Sequence, residues 1–298
     1  MRAELAQAVG LLRSETPQEI EKAIELLQNT VFSFSMKVCG HREDAEDTMQ
    51  EVLYRSLRHL VRIDDPSALA VWLYTVTRNR CWRMRRKDAH TARQIPLDEL
   101  MPGDGELERL LQDSAPGPER RAIKTEEQRL LQRAVLRLPP QLRIVLVLHD
   151  MEELETDEVA QILNLQAGTV RVRLHRARLM LRKLFSDLTQ GVRKKSKTPR
   201  KAMRRTKSAT GKPAECRDLF HNLSEYIDGR IGSPNCDRMR EHIEACPACV
   251  AFIRDLRSAI DRCHSMEAGC SSKTALRLRA LLTREYLRML ETVGKEEF

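Results

Sequence analysis

Cys216, His242, Cys246 and Cys249 stand at the spacing Cys-x25-His-x3-Cys-x2-Cys. One imidazole and three thiolates make a closed tetrahedral set for zinc, with no coordination position left for a substrate. His242 and Cys246 are four residues apart, so a helix puts them on one face. Pro247 disfavours helix at Cys246 and favours a new start immediately after it. Cys249 then falls in the first turn of the next helix, where the dipole stabilises a thiolate. Cys216 closes the site from a preceding helix, and Cys236 is an alternative to it. A Cys-x2-Cys pair also occurs in redox centres, but a histidine at this spacing favours one zinc ion, structural or redox-linked. Cys263 and Cys270 are read as ordinary helix positions rather than resolving thiols.

A second constellation is basic. Arg171, Arg173, His175, Arg176 and Arg178 follow Thr169 within ten residues. Val170, Leu174, Ala177 and Leu181 recur at spacings of four, three and four. They form an inward stripe, and the basic face is expected to point outward. Arginine contacts phosphates and pairs bidentately with guanine in the major groove. On an isolated helix such a face is usually just solvated. Here a short helix, Thr156–Asn164, and a glycine-containing turn, Leu165–Gly168, precede the basic helix Thr169–Phe185. That order is the helix-turn-helix pattern of DNA-binding proteins.

A third group lies earlier. Asp65 is placed to cap a helix whose first turn holds Pro66. That helix carries Trp72, Arg78 and Asn79 and ends in the basic run Arg83, Arg85, Arg86 and Lys87. Trp82 is expected in the core, and core packing is an even prospect for Trp72.

The elements that hold these groups are helical. Aromatics are 4% of the 298 residues, Gly and Pro are 12 each, and Leu, Arg, Glu and Ala dominate. The length fits two or three domains. Ala45, Met49, Val52, Leu53, Leu57, Leu60 and Val61 recur at helical spacing, opposite an acidic face of Glu43, Asp44, Glu46, Asp47 and Glu51. Ala89–Pro118 is acidic and rich in Pro and Gly, which reads as a linker. Glu126–Leu138 is an amphipathic helix stopped by Pro139-Pro140, and Gln141–Asp150 a short apolar one. Near the end, Lys273–Glu291 reads as a long amphipathic helix with no obvious partner inside so small a block.

Net charge is +9, yet Gln190–Pro213 alone holds ten Lys/Arg and no acidic residue. The basicity therefore belongs to one linker, which can also touch phosphates. If flexible, its 24 residues reach about 25–30 Å, which suits intramolecular contact of the C-terminal block with what precedes it. No apolar run is long enough to span a bilayer. The N-terminal stretch carries charges inside its apolar run, so no secretory signal is read and the protein is expected in the cytoplasm, without a membrane partner.

Three stretches resemble known families. Leu138-Pro-Pro-Gln-Leu-Arg-Ile-Val-Leu-Val-Leu, then Glu158-Val-Ala-Gln-Ile-Leu, then Gly168-Thr-Val-Arg-Val-Arg-Leu-His-Arg-Ala-Arg, resemble the −35 reading domain of extracytoplasmic-function sigma factors of the sigma-70 family. Asp44-Ala-Glu-Asp-Thr-Met-Gln-Glu-Val-Leu, Trp72-Leu and Arg78-Asn79 look like that family's polymerase-binding and −10 reading domain. The two occur in the right order and cover about Phe32–Leu184. Leu223-Ser-Glu-Tyr-Ile-Asp-Gly and Glu241-His-Ile-Glu-Ala-Cys-Pro-Ala-Cys resemble the zinc-binding anti-sigma domain, over about Cys216–Leu256.

The resemblance implies roles. Asp47, Gln50 and Glu51 would dock RNA polymerase core. Trp72, Arg78 and Asn79 would melt and read the −10 element, with the loop Arg62–Ser67 capturing a flipped base. Arg83, Arg85, Arg86 and Lys87 would hold phosphates. Thr169, Arg171, Arg173, His175, Arg176 and Arg178 would read the −35 element of promoter DNA. Arg83, Glu155 and Val172 depart from the family pattern; Thr156 is expected to cap in place of Glu155.

The expected architecture is all-α: two sigma helical domains, the second with a helix-turn-helix, plus a small zinc-stabilised helical domain. Its limits are 1–88 for the first, 89–118 for the acidic linker, 119–188 for the second, 189–214 for the basic linker and 215–298 for the zinc domain with its C-terminal helix. The expected function is a sigma factor regulated by that fused domain. The alternative is a conventional helix-turn-helix regulator with a zinc or redox-sensing module. An enzyme is not expected, since no HExxH, phosphate-binding glycine loop or nucleophile–base pairing is present.

Overall fold

The computed structural model describes residues 2–14, 16–60, 65–84, 100, 120–195, 223–230, 237, 239–241, 243, 246–264, 266, 270 and 272–293. Among them every regular element is helical. In chain order these are α1 (Arg2–Leu12), α2 (Pro17–Cys39), α3 (Arg42–Leu60), α4 (Pro66–Met84), α5 (Arg120–Arg137), α6 (Pro140–Leu146), a π-helical turn (Val147–Met151), α7 (Thr156–Leu163), α8 (Ala167–Lys195), α9 (Pro247–His264) and α10 (Lys273–Val293). Residues 223–227 form a further short helical stretch.

The chain forms two compact units, each assembled from separated segments. One comprises Met1–Ala92, Arg143–Val170 and Met266–Phe298; the other comprises Arg93–Leu142 and Arg171–Ser265.

In the first unit α2 is central and packs against α1, α3 and α4. Proline at its first position and Gly40 in the left-handed conformation (φ 79°) fix its ends, and the Gly40 N–H donates to the Met36 carbonyl. Ile20, Ala23, Ile24, Leu27, Val31 and Phe34 line its buried side. The apolar stripe of α3, from Ala45 to Leu60, is buried as its spacing requires. Asp65 caps α4: its carboxylate accepts from the Ser67 and Ala68 N–H groups at 3.0 and 3.2 Å. Trp82, expected in the core, is 38% exposed, because Cys81 takes the inward position next to it.

α10 completes this unit by packing on α2 and α3. Arg279 reaches Glu25 at 2.8 Å and the Gln28 side-chain oxygen at 3.1 Å, Gln28 donates to the Ala275 carbonyl, and the Tyr286 hydroxyl donates to the Leu12 carbonyl. The partner of this amphipathic helix is thus far away in sequence.

The segment 143–170 also belongs here, with α7 against α4 and the π turn against α2. The apolar helix expected over Gln141–Asp150 is divided: α6 ends at Leu146 and a wider turn follows, in which the Glu152 N–H donates to the Val147 carbonyl at 2.9 Å. Glu155 itself caps α7, and its N–H donates to the Glu158 carboxylate at 2.8 Å. Thr156 is the first residue inside the helix, buried, so it is not the substitute cap. The reversal after α7 uses Asn164 (φ 53°) as its left-handed residue, while Gly168 already lies in α8.

In the second unit α5 packs on α9. Leu130, Leu131, Ala134 and Val135 of α5 and Phe252, Leu256, Ala259 and Cys263 of α9 are buried.

Candidate nucleic-acid interface and metal centre

α8 extends to Lys195, well past the expected Phe185. Val170, Leu174, Ala177 and Leu181 are buried, so the inward stripe stands. Arg171 is exposed, and Thr169, Arg173 and Arg176 are half-buried. His175 and Arg178 are not on the outward face as expected; both are buried, Arg178 to 2% exposure.

For Arg178 the reason lies in residues 223–228. Ser224, on the helical stretch, and Asp228, in the turn that ends it, are four apart and face Arg178 together. The Arg178 guanidinium donates to Asp228 at 2.8 and 3.1 Å through two nitrogens and to the Ser224 hydroxyl at 2.6 Å. A paired fork of this kind fixes orientation as well as energy. One turn further along α8, Arg182 is buried too. It pairs with Asp255 at 3.2 Å and lies over the Phe252 ring at 4.4 Å. Arg262 of α9 lies over Phe185 at 5.2 Å. The basic helix therefore has a second set of partners that its own periodicity does not reveal. Ser224, Asp228 and Asp255 were missed from sequence. The available signal was the i, i+4 pairing of Ser224 with Asp228 and the continuation of the basic row to Arg182.

On α4, Trp72 is half-buried and its ring meets His59 at 5.0 Å. Asn79 is exposed. Arg78 donates to the Ile162 carbonyl at 2.7 Å, and burial lowers its pKa from the usual arginine value. On α3, Asp47 is exposed, Gln50 is half-buried, and Glu51 pairs with Arg55 at 2.9 Å and with Arg80 of α4. The Arg83 side chain, Arg85, Arg86, Lys87, residues 62–64 of the loop Arg62–Ser67 and most of the linker Ala89–Pro118 lie outside the described residues.

A buried acid was also missed. Glu152 accepts from Lys37 at 2.9 Å and from the Tyr74 hydroxyl at 2.6 Å. Burial raises its carboxyl above the ordinary carboxylate range, with Lys37 and the Tyr74 hydroxyl pulling it back. Burial, then Glu152, pushes the Tyr74 phenol well up.

At the metal constellation, Cys246 directly precedes α9 and its carbonyl accepts the Val250 N–H at 3.1 Å. Pro247 opens the helix and Cys249 is buried in its first turn. Two thiols three residues apart at a helix start suit one metal ion. Cys216, Cys236 and His242 lie outside the described residues; among the described ones no group of three metal-ligating side chains assembles. Cys263 is an ordinary helix position, its thiol directed at the Ala259 carbonyl at 3.3 Å. Cys270 is buried beside the first unit's helices, and burial raises its thiol pKa.

Comparison with known proteins adds three family matches. Sigma-70 region 2 matches residues 23–91, sigma-70 region 4 matches 128–181, and a zinc-finger family matches 216–249. The chain is 30% identical over 168 residues to the ECF RNA polymerase sigma factor SigW of Bacillus subtilis, covering 55% of this chain and 88% of that protein. It is 27% identical over 164 residues to the RNA polymerase sigma factor YlaC of the same organism, covering 55% and 90%. Among solved structures, it is similar to the sigma factor RpoE in complex with the anti-sigma factor NepR from Bartonella quintana. That likeness is at 18% identity and a TM-score of 0.40, covering 57% of this chain and 98% of that one.

Proposed function

The chain belongs to the extracytoplasmic-function sigma factors of the sigma-70 family, and from that premise we propose that its C-terminal segment restrains it in cis by taking hold of the promoter-reading helix. Its partners are RNA polymerase core and promoter DNA, and its function is to direct that polymerase to promoters. It works by binding; we assign it no catalytic step and place its work in the cytoplasm beside its polymerase. No described helix is long and apolar enough to cross a membrane.

The observation that carries the restraint is Arg178. A guanidinium that reads DNA must be free to reach phosphate or guanine. In this chain it is buried and doubly bonded to Asp228. The C-terminal segment thus supplies the carboxylate where DNA would supply phosphate. Arg171, Arg173 and Arg176 keep their places on the reading helix with Thr169 and His175, and Arg178 joins them only when the grip opens.

The remaining assignments follow the sequence limits given above. Asp47, Gln50 and Glu51 dock polymerase core. Trp72, Arg78 and Asn79 act on the −10 element, and Arg83, Arg85, Arg86 and Lys87 hold phosphates. One zinc ion is held by Cys216, His242, Cys246 and Cys249. Bound there it supplies a fixed tetrahedral staple rather than chemistry.

The docking assignment has a direct test. Asp47 is exposed, so Asp47→Arg leaves the fold within about 0.5 kcal/mol of its stability. Capture of purified core polymerase is expected to weaken by about a hundredfold or more, since a like charge set into an interface costs several kcal/mol and each ~1.4 kcal/mol is tenfold. Duplex DNA binding should not change. If capture is unaltered, α3 is not the docking helix; if the unaltered chain captures no polymerase at all, the conventional-regulator alternative returns.

A further inference from the structure

The buried charges Lys37 and Glu152, with Tyr74, sit where two parts of the sigma factor meet. Lys37 is on α2 and Tyr74 on α4, both inside the region-2 match. Glu152 follows the π turn inside the region-4 match. The side chains of Lys37 and Glu152 are 4% and 0% exposed. Two further polar tethers join the same parts. Arg143 donates to the Val38 carbonyl at 2.8 Å, and Arg78 donates to the Ile162 carbonyl at 2.7 Å.

We propose that Lys37, Glu152 and Tyr74 form a latch that docks the promoter −35 half onto the −10 half, a closure separate from the grip on Arg178. The proposal rests on the reading of the chain as a sigma factor. The reason is distance. The two promoter elements lie about 25 base pairs apart by their positions, or about 85 Å at 3.4 Å per pair. Ile162 is five residues before α8 begins at Ala167, so the reading helix starts at most about 18 Å along the chain from the carbonyl that holds Arg78. The docked form cannot serve both elements at once, and the dock must open for promoter binding.

The chemistry suits an interface that opens. A buried ion pair adds little net stability, because burying two charges costs about what their attraction returns. Opening lets Lys37, Glu152 and the Tyr74 hydroxyl regain water, so the open form is accessible. The closed form is still specific. In it Glu152 is met by both Lys37 and Tyr74, and a placement that left either buried charge unmatched would be costly. Arg78, assigned to the −10 element, is engaged by the Ile162 carbonyl in the same dock, so opening also frees a DNA-binding side chain.

Hydrogen–deuterium exchange on the full-length chain tests this, with transcription from purified core polymerase as the second readout. In Glu152→Gln and in Lys37→Met one charge loses its partner. Amides of residues 144–163 should exchange at least about tenfold faster, and initiation should rise in step. In Lys37→Met/Glu152→Met both charges go, the packing stays, and exchange should return to the unaltered rate or slower, with initiation no higher than in the parent. That double variant separates a latch from simple loss of fold. The proposal is overturned if either single variant exchanges like the parent, or if the double variant opens as far as the singles. If exchange follows the pattern while no form of the chain directs initiation, the dock stands as a structural joint and its regulatory meaning falls with the sigma reading.

Discussion

Full-length protein carrying Asp228→Ala is expected to bind duplex promoter DNA about a hundredfold more tightly than the unaltered chain. The substitution acts on the closed form alone. There Arg178 is 2% exposed and would keep its burial while losing the carboxylate that justifies it. Removing one member of a buried pair costs about 3–5 kcal/mol. In the open form Arg178 is solvated and Asp228 matters little. The closed–open balance therefore shifts by about two to four powers of ten. DNA binds the open form, so apparent affinity rises with the open fraction until that fraction saturates. Asp228→Asn keeps acceptor geometry without charge and should fall between. Arg178→Ala makes the complementary case: it also loosens the grip, but removes a DNA contact, so its gain should be smaller than that of Asp228→Ala. Fluorescence anisotropy at one fixed salt concentration reads all three, because phosphate contacts make any affinity salt-dependent. Unchanged affinity in a folded Asp228→Ala protein would show that Arg178 is not held from DNA by this contact.

Removing zinc should have a still larger effect on the C-terminal segment. Structural zinc sites contribute an apparent ~10–16 kcal/mol at neutral pH. A block of this size has few other sources of stability, and metals or disulfides commonly supply it. Cys246 directly precedes α9 and Cys249 lies in its first turn, and α9 carries Phe252 and Asp255, which hold Arg182. Losing the metal should thus unpin both the helix start and the grip on α8. The reduced protein should contain about one equivalent of zinc per chain. After chelation, tryptic cleavage within residues 223–264 should be at least about tenfold faster, and readdition of zinc should reverse it. Less than about half an equivalent in the reduced protein, or cleavage unaffected by chelation, would remove the metal from the account.

What the sequence made legible was local. The stripe Ala45–Leu60, the Asp65–Pro66 helix start, the inward row Val170–Leu181 and Cys249 in a first helical turn follow from periodicity and capping, each within a few residues. What was not legible depends on partners far away. Periodicity finds the face a helix turns toward its nearest neighbour; it does not say what covers the opposite face, and so Arg178 read as part of an outward DNA-contacting row and Arg182 was not singled out. Lys37 is the one charge in the otherwise apolar and hydroxylic run Val31–Cys39, a signal for a buried partner, but nothing local points to Glu152, 115 residues on. α10 was seen as a helix in need of a partner, and α2 and α3, some 240 residues earlier, supply it. Trp82 was misplaced because burial averages over residue type say little about one position beside a helix end.

Restraint of a sigma factor by its own C-terminal segment must show in transcription itself. In vitro transcription with purified core polymerase on a library of promoter fragments tests it most directly, comparing the full-length chain with a form ending after Gln190, each checked for helical fold. The shortened form should start transcripts and the full-length form few or none. Equal initiation by both would contradict restraint in cis, and initiation by neither, with both binding duplex DNA alone, would contradict the sigma function itself.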